Sequence, residues 1–198
     1  MNAEKKNTPQ VPGQYRPNLC FYRANARGTG SALKMSLHPA HDNVDGCVMA
    51  TIANQMTVGN REGPNPTFPT FDWENAMTVK LDFNDLCQVL QVLRGECESV
   101  NGEKGLFHRA PCGMTNIRFS HLVDPTPGYR LEVYRSSRPG GAEDAHAQLT
   151  FGSAEALGLC EAIAGSMSVV AFGIPMLVPH DTSAYRAAAK EARDAAAA

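Results

Sequence analysis

The sequence lacks the features that define secreted and membrane-inserted proteins. It contains no run of eighteen apolar residues, which a membrane-spanning helix requires. Its first seventeen residues have no apolar segment of the kind found in a secretory signal, and they contain Glu4 and two prolines before position 13. We therefore expect a protein that is neither secreted nor attached to a membrane.

Signatures of enzymes and metal proteins are also missing. No Walker, G-x-S-x-G or G-x-G-x-x-G pattern is present, and none of the six cysteines forms a C-x-x-C pair. His38, His41 and Asp42 could begin a metal site, but no second pair of ligands has suitable spacing. Cys112 and His108 are near each other in sequence, but nothing orients them as nucleophile and base. We expect reduced cysteines, no catalytic activity, no metal and no cofactor.

Charge is scarce but unevenly distributed. Charged residues make up 19% of the chain and the formal net charge is −2. Residues 1–38 carry six Lys and Arg against one acid, and residues 104–139 carry six against two. Residues 39–103 carry three against ten, and residues 140–198 carry three against seven. A nearly neutral chain of this kind can still present a basic face, although accidental clustering of solvated charges is the alternative.

Two periodicities recur in the same order along the chain. Alternating apolar and polar residues predict strands, and apolar residues at helical spacing predict helices. The first half gives strands at about 19–27, 31–38, 46–55 and 72–83, then a helix over 85–100 with Asn84 as its N-cap. The second half gives strands at about 105–110, 114–122, 129–136 and 145–151, then a helix over 154–172 capped by Ser153.

The predicted fold class is α+β, with two antiparallel four-stranded sheets, each followed by a helix (ββββα, twice). We divide the chain into a disordered arm (1–18), one domain (19–175) with units 19–103 and 104–175, and an Ala-rich tail (176–198). Each helix must bury its apolar stripe, so we expect the helices on one side of the sheets and the other sheet faces exposed.

These exposed faces are predicted to mix aromatic, basic and hydrogen-bonding side chains. Phe21 and Tyr134 are candidates for stacking on bases. The candidates for phosphate contacts are Arg23, Arg27, Lys34, Lys80, Arg118 and Arg130. The candidates for hydrogen bonding are Asn25, Ser31, Ser36 and Asn116. Single-stranded nucleic acid requires such a mixture, but an ordinary solvated sheet face has a similar composition.

Four stretches of the sequence match one known pattern in order and spacing. They are GTGSALKMSLHP (28–39), FPTFDWENAMTVKLDFNDLCQVLQVL (68–93), GLFHRA (105–110) and FGSAEALGLCEAIAGSMSVVAFGIP (151–175). With them, residues 19–175 resemble the Whirly family of single-stranded DNA-binding proteins. The lysine-rich motif of that family is Thr29-Gly30-Ser31 here, flanked by Arg27 and Lys34. Trp73 matches the family's tryptophan, with a core, interface or stacking role left open.

The resemblance implies a tetramer of whorled protomers with single strands bound along sheet surfaces between them. Related architectures occur in mitochondrial guide-RNA-binding proteins and in positive-cofactor-four transcription coactivators. We therefore expect a sequence-tolerant single-stranded DNA-binding protein, homo-oligomeric, with Leu157 and Met167 of the second helix at the protomer interface. We expect it in the cytoplasm, on the nucleoid in a prokaryote, with an organelle not excluded. The alternatives are an RNA-binding protein of the same fold and a transcription-cofactor or structural oligomer with a protein partner.

Overall fold

The computed structural model describes residues 18–40, 44–60, 62, 64–110, 113–124, 127–137 and 144–173. Residues 1–17 of the predicted arm, the whole Ala-rich tail, and His41, Asp42 and Cys112 lie outside the described residues.

The first half of the chain forms one sheet and one helix. Its elements are β1 (Asn18–Arg23), β2 (Ser31–His38), β3 (Cys47–Thr57), β4 (Thr70–Phe71), β5 (Met77–Leu81) and α1 (Phe83–Leu93). The strand order is β1-β2-β3, and the far side of β3 pairs with β5 and, at its end, with the short β4. The extra two-residue strand makes this sheet five-stranded where four strands were predicted.

The second half repeats the arrangement. Its elements are β6 (Leu106–Ala110), β7 (Gly113–Leu122), β8 (Gly128–Ser137), β9 (Ala145–Phe151) and α2 (Ser153–Phe172). The strand order is β6-β7-β8-β9, and every pair in both sheets is antiparallel. The predicted α+β class, with two antiparallel sheets each followed by a helix, is confirmed.

The helices and one face of each sheet share a single apolar core. We call these the inner faces, and the opposite ones the outer faces. Phe21, Leu33 and Ile52 are register partners on the first inner face, and Ile117 and Val133 are partners on the second; all are buried. Full burial of such side chains contributes about 1.5–3 kcal/mol each, so the core fixes which face of each strand is left for function.

Two predicted strand boundaries are wrong, each for a local reason. β1 ends at Arg23 because the side chain of Asn25 accepts hydrogen bonds from the backbone N–H groups of Arg27 and Thr29, which makes a turn. Residues 72–76 leave the predicted fourth strand because Asp72 accepts hydrogen bonds from the backbone and side chain of Asn75.

The first helix is displaced at both ends. Asp82, not Asn84, caps it, since Asp82 and Asp85 accept hydrogen bonds from each other's backbone N–H groups. The helix ends at Leu93 instead of about residue 100 because Gly95 takes a left-handed conformation (φ 73°) directly after the C-cap. Cys97, which falls within the predicted helix, is exposed. The second helix begins at Ser153 itself, with Gly152 as its N-cap.

The two sheets meet along the open edge of β9. An edge strand presents alternate carbonyls that have no partner within its own sheet. Arg23 Nε donates to the carbonyl of Thr150 (3.0 Å), the Ser31 hydroxyl donates to that of Gln148, and Asn54 Nδ2 donates to that of His146 (3.1 Å). The three donors are register partners on β1, β2 and β3. One cross-strand row of the first sheet therefore caps the edge of the second.

Helix α2 leaves much of its apolar surface uncovered. It is long and apolar enough to cross a membrane by length and composition, although the core helix of a soluble protein passes the same test, and 28% of its most apolar eighteen-residue window is buried. Leu159 and Ile163 face the core, whereas Leu157 and Phe172 are exposed. The uncovered side of α2 is thus available for another contact.

The contact between the sheets can be tested at Ser31. We expect Ser31→Ala to lower the free energy of unfolding by about 1 kcal/mol or more, because the Gln148 carbonyl loses its donor in a partly buried position. Ser36→Ala, on the outer face of the same strand, is the matched control and should cost less than about 0.5 kcal/mol. Urea titration of both variants measures the difference, and equal costs would contradict the role given to Ser31.

Candidate nucleic-acid interface

A row of rings crosses the outer face of the second sheet. Phe107, Asn116, Tyr134 and His146 are consecutive register partners on β6, β7, β8 and β9, so their side chains share one face; we call them the ring row. Alternation along each strand places them opposite the buried core positions. Three of the four side chains are flat ring systems, and the fourth is a planar amide.

The ring row is ordered by its own contacts. The Tyr134 and His146 rings stack with centroids 4.3 Å apart and planes 16° apart. The Arg118 guanidinium lies over the Tyr134 ring, 5.3 Å from its centroid. Phe107, at the other end, is 56% exposed, which leaves a large ring surface for a ligand. Asn116 Nδ2 donates to the carbonyl of Lys104 (2.9 Å), which fixes the orientation of the amide.

Cations flank the ring row on the same outer face. Arg118 on β7 is in the outer-face row next to the ring row, Arg130 on β8 is one row further in the same direction, and Arg109 on β6 is on the other side of the ring row. Arg130 Nη1 lies 3.8 Å from a carboxylate oxygen of Glu132, which in turn accepts a hydrogen bond from the Tyr134 hydroxyl (3.3 Å). Four predicted site residues are therefore brought together here: Asn116, Arg118, Arg130 and Tyr134.

A second, smaller cluster lies on the outer face of the first sheet. Lys34 Nζ is 5.4 Å from the centroid of the Trp73 ring, and the Tyr22 and Phe71 rings meet at 5.6 Å. Trp73 and Tyr22 are 38% and 56% exposed. Ser36 and Lys80 share this face two residues further along their strands. A side-chain hydrogen bond with Cys20 is the main cause that raises the pKa of Tyr22 above its ordinary value.

Three predicted site residues are not available on a sheet surface. Phe21 is buried and packs edge-on against Phe151, with ring centroids 5.0 Å apart, so it cannot stack on a base. Ser31 is buried and donates to the β9 edge, and Arg23 donates to the same edge and pairs with Glu155. The sequence assigned β1 the wrong outer face, because Phe21 lies inward and Tyr22 outward.

Asn25 and Arg27 lie in the turn between β1 and β2, not on a strand. The turn is held by the buried amide of Gln55, whose Oε1 accepts from the N–H groups of Asn25 (2.9 Å) and Gly30 (3.2 Å). Gln55 Nε2 donates to the carbonyls of Asn25 and Thr57, both at 3.0 Å. Asn25 is thus committed to organising this turn, while Arg27 is exposed at its tip.

Sequence reasoning missed several residues of the two outer faces. Phe107, Arg109, His146 and Tyr22 lie on these faces and are not among the site residues predicted from the sequence. Strict alternation from Tyr134 and Asn116 through the antiparallel pairings would have identified Phe107 and His146, because register partners share a face. The missing information was the register between strands.

His108, considered above as a catalytic base, is engaged with helix α1. Its Nε2 lies 3.0 Å from Asp85 Oδ2 on the inner face. Burial raises the pKa of Asp85, while the Asp82 N–H and His108 act in the opposite direction. Since Asp85 also completes the helix cap, the pair has a structural explanation. Among the described residues, no group of three or more His, Cys, Asp or Glu could hold a metal ion.

Solved structures share this architecture over most of the chain. The Whirly protein WHY1 from Arabidopsis thaliana superposes with a TM-score of 0.62 at 15% identity, covering 94% of this chain and 96% of that one. The plant transcriptional regulator PBF-2 gives a TM-score of 0.60 at 16% identity, covering 82% and 84%. A guide-RNA-binding protein complex bound to a guide RNA superposes with a TM-score of 0.52 at 18% identity, covering 78% of this chain and 91% of that one.

At these identities the comparisons establish the fold, which is Whirly-like. No protein-family model and no curated protein sequence matches the chain. The resemblance noted in the sequence is confirmed at the level of architecture.

The role of Arg23 as a structural residue has a pH signature. Burial alone would raise the pKa of Glu155, but hydrogen bonds from Arg23 and from the Gly152 N–H, with the charge of Arg23, hold it below its ordinary value of 4.5. A carboxyl group with a lowered pKa in the folded state contributes stability above pH 4.5, and this contribution is lost as pH falls through the folded value.

We therefore expect Glu155→Gln to flatten the acid limb of the stability curve below pH 4.5, with a loss at neutral pH under about 1 kcal/mol because the pair is part-exposed. Thermal unfolding from neutral to acid pH measures this. Glu161→Gln, exposed on the same helix, is the control. An acid limb identical to that of the unmodified protein would contradict the Arg23–Glu155 assignment.

Proposed function

We propose that this chain is a sequence-tolerant nucleic-acid-binding protein that takes single-stranded DNA on the outer face of its second sheet. The observation that carries the proposal is the ring row with Arg118 stacked over Tyr134. Unpaired bases can lie on the rings, and Arg109, Arg118 and Arg130 can contact phosphates on either side. The Whirly-like fold supports this reading, because a protein of that fold was solved bound to a nucleic acid.

RNA is the second candidate ligand. The structural neighbour bound to a guide RNA favours it. The rings of the proposed site would meet bases, which DNA and RNA have in common, whereas recognition of RNA as RNA requires contacts to the 2′-hydroxyl. Competition between DNA and RNA oligomers of one sequence separates the two candidates.

Tyr134 and Arg118 test the binding mode. We expect Tyr134→Ala to weaken binding of a labelled single strand about tenfold, since one stacking platform contributes about 1–3 kcal/mol. Arg118→Ala should weaken binding and reduce the slope of log affinity against log salt by about 0.7, the value for one phosphate contact. Fluorescence anisotropy over a salt series measures both effects.

Arg94→Ala is the matched control for Arg118→Ala, because it removes the same charge from the exposed end of α1. It should leave affinity for the single strand nearly unchanged. If the unmodified protein binds no oligonucleotide at low salt, the proposed function is wrong. If Arg94→Ala weakens binding as much as Arg118→Ala, the charge of the whole chain, and not this face, determines affinity.

We further propose that the protein is a homo-oligomer, with a tetramer favoured, and that the uncovered face of α2 is the contact between protomers. Helix α2 is largely apolar. Its Leu157 side chain is 65% exposed, and Met167 is half-buried. An exposed group of apolar side chains on one helix commonly marks an interface between proteins. The contact would leave the outer face of the second sheet free, because α2 packs against inner faces.

Leu157→Glu tests the interface. We expect it to dissociate the oligomer in sedimentation velocity while the melting temperature of the protomer changes little, because the side chain is exposed in the protomer. Met56→Glu, at an equally exposed residue near the end of β3, should leave the assembly intact. A chain that sediments as a monomer before any substitution would remove the oligomer from the proposal.

A further inference from the structure

One carboxylate occupies the middle of the proposed binding face. Glu132 has Arg130 and Tyr134 on either side along β8, and its register partners are Arg118 and Gln148. It is the only acidic residue within the described strands β6 to β9. Its side chain is 17% exposed, between Arg130 Nη1 at 3.8 Å and the Tyr134 hydroxyl at 3.3 Å.

A carboxylate at this position works against phosphate binding. A face that only had to hold a polyanion would gain from a neutral or basic residue there, because like charges repel across a low-dielectric surface. A carboxylate has no hydrogen to donate, but its two oxygens accept hydrogen bonds. What it can recognise on a nucleic acid is therefore a base edge that offers N–H groups.

The surroundings of Glu132 have room for a base. A cavity of about 450 Å³ adjoins it, and its lining also includes Arg118, Ser120, His121, Glu98 and Glu103. This volume is in the range of small-ligand pockets. The acidic side chains disfavour a phosphate inside the cavity. The Arg118 guanidinium is a planar surface of the kind on which bases stack.

We propose that Glu132 is a specificity-determining residue that reads guanine in a bound single strand. This inference rests on the proposed function and names the base preferred at one position of that site. Guanine presents N1–H and the N2 amino group side by side on its Watson–Crick edge, so both oxygens of one carboxylate can accept from it. Thymine offers one N–H between two carbonyls, which a carboxylate repels. Arg118 and Arg130 contact the neighbouring phosphates.

The competing explanation is that Glu132 only orients the two arginines. In that case its removal changes affinity for all single strands by the same factor. A base-reading role predicts instead that the ratio of the affinities for strands with different bases changes. This ratio of affinities is the quantity to measure.

The experiment compares three labelled single strands that differ at one central position of an oligo-dT: thymine, guanine or hypoxanthine, which lacks the N2 amino group. With the unmodified protein we expect the guanine strand to bind at least about fivefold tighter than the thymine strand, as for one bidentate contact. The hypoxanthine strand should lie between them. This comparison needs no variant and is independent of folding defects.

Glu132→Gln should abolish the preference and bind the plain oligo-dT as tightly as the unmodified protein or tighter, because a negative charge has been removed. Glu74→Gln, exposed on the connection before β5, makes the same charge change and should keep the preference. Circular dichroism confirms that both variants fold. If Glu132→Gln does not fold, Glu132→Asp retains the charge with a shorter reach and should still lose the preference.

The outcomes separate the two proposals. If no strand binds, the proposed function fails. If all three strands bind the unmodified protein equally well, the function stands and the reading of guanine by Glu132 is wrong. If the preference exists but survives in Glu132→Gln, another group reads the base, and the inference is likewise wrong.

Discussion

The capping of the β9 edge determines how the two sheets are joined and which of their faces stay exposed. A sheet that ends in an unpaired strand has a row of carbonyls that invite another strand to pair. Here the row is closed from within the chain by side chains of Arg23, Ser31 and Asn54, which are 127, 117 and 92 residues away from their acceptors. The edge of one sheet thereby rests on the inner face of the other.

This seam engages two apparent ligand-binding residues in contacts within the fold. Arg23 and Ser31 have the residue types and the basic, glycine-rich context of a phosphate-binding segment. Their side chains instead satisfy backbone carbonyls and, for Arg23, a carboxylate at the start of α2. A guanidinium that makes several hydrogen bonds within the fold must give them up before it can bind a phosphate, and each carries a cost. On the outer face of the second sheet, Arg118 lies over the Tyr134 ring and Arg130 Nη1 is 3.8 Å from a Glu132 oxygen, and neither of these contacts ties the guanidinium to a backbone carbonyl.

Local patterns predicted most of the fold, and contacts between distant residues account for what they missed. The strands of the second half were found to within a residue or two, because regular alternation and Pro-Gly turns mark them. The shared face of Asn116, Arg118, Arg130 and Tyr134 follows from the same alternation. The face of β1 was inverted because the pattern Leu-Cys-Phe-Tyr-Arg supports either assignment. Only packing of Phe21 against Phe151 decides it, and that contact spans the whole domain.

The balance of charge and rings on the second sheet is the physical reason why the proposed ligand is a single strand. Within the described strands β6 to β9, the outer face carries Arg109, Arg118 and Arg130 against Glu132. So few phosphate contacts give limited affinity by counterion release. Stacking must supply much of the remainder, and the faces of bases are accessible only when the bases are unpaired. A duplex would offer its phosphates to the arginines and nothing to the ring row. In the proposed function, discrimination against duplex therefore comes from the rings, and it requires no contact that distinguishes one sugar from the other.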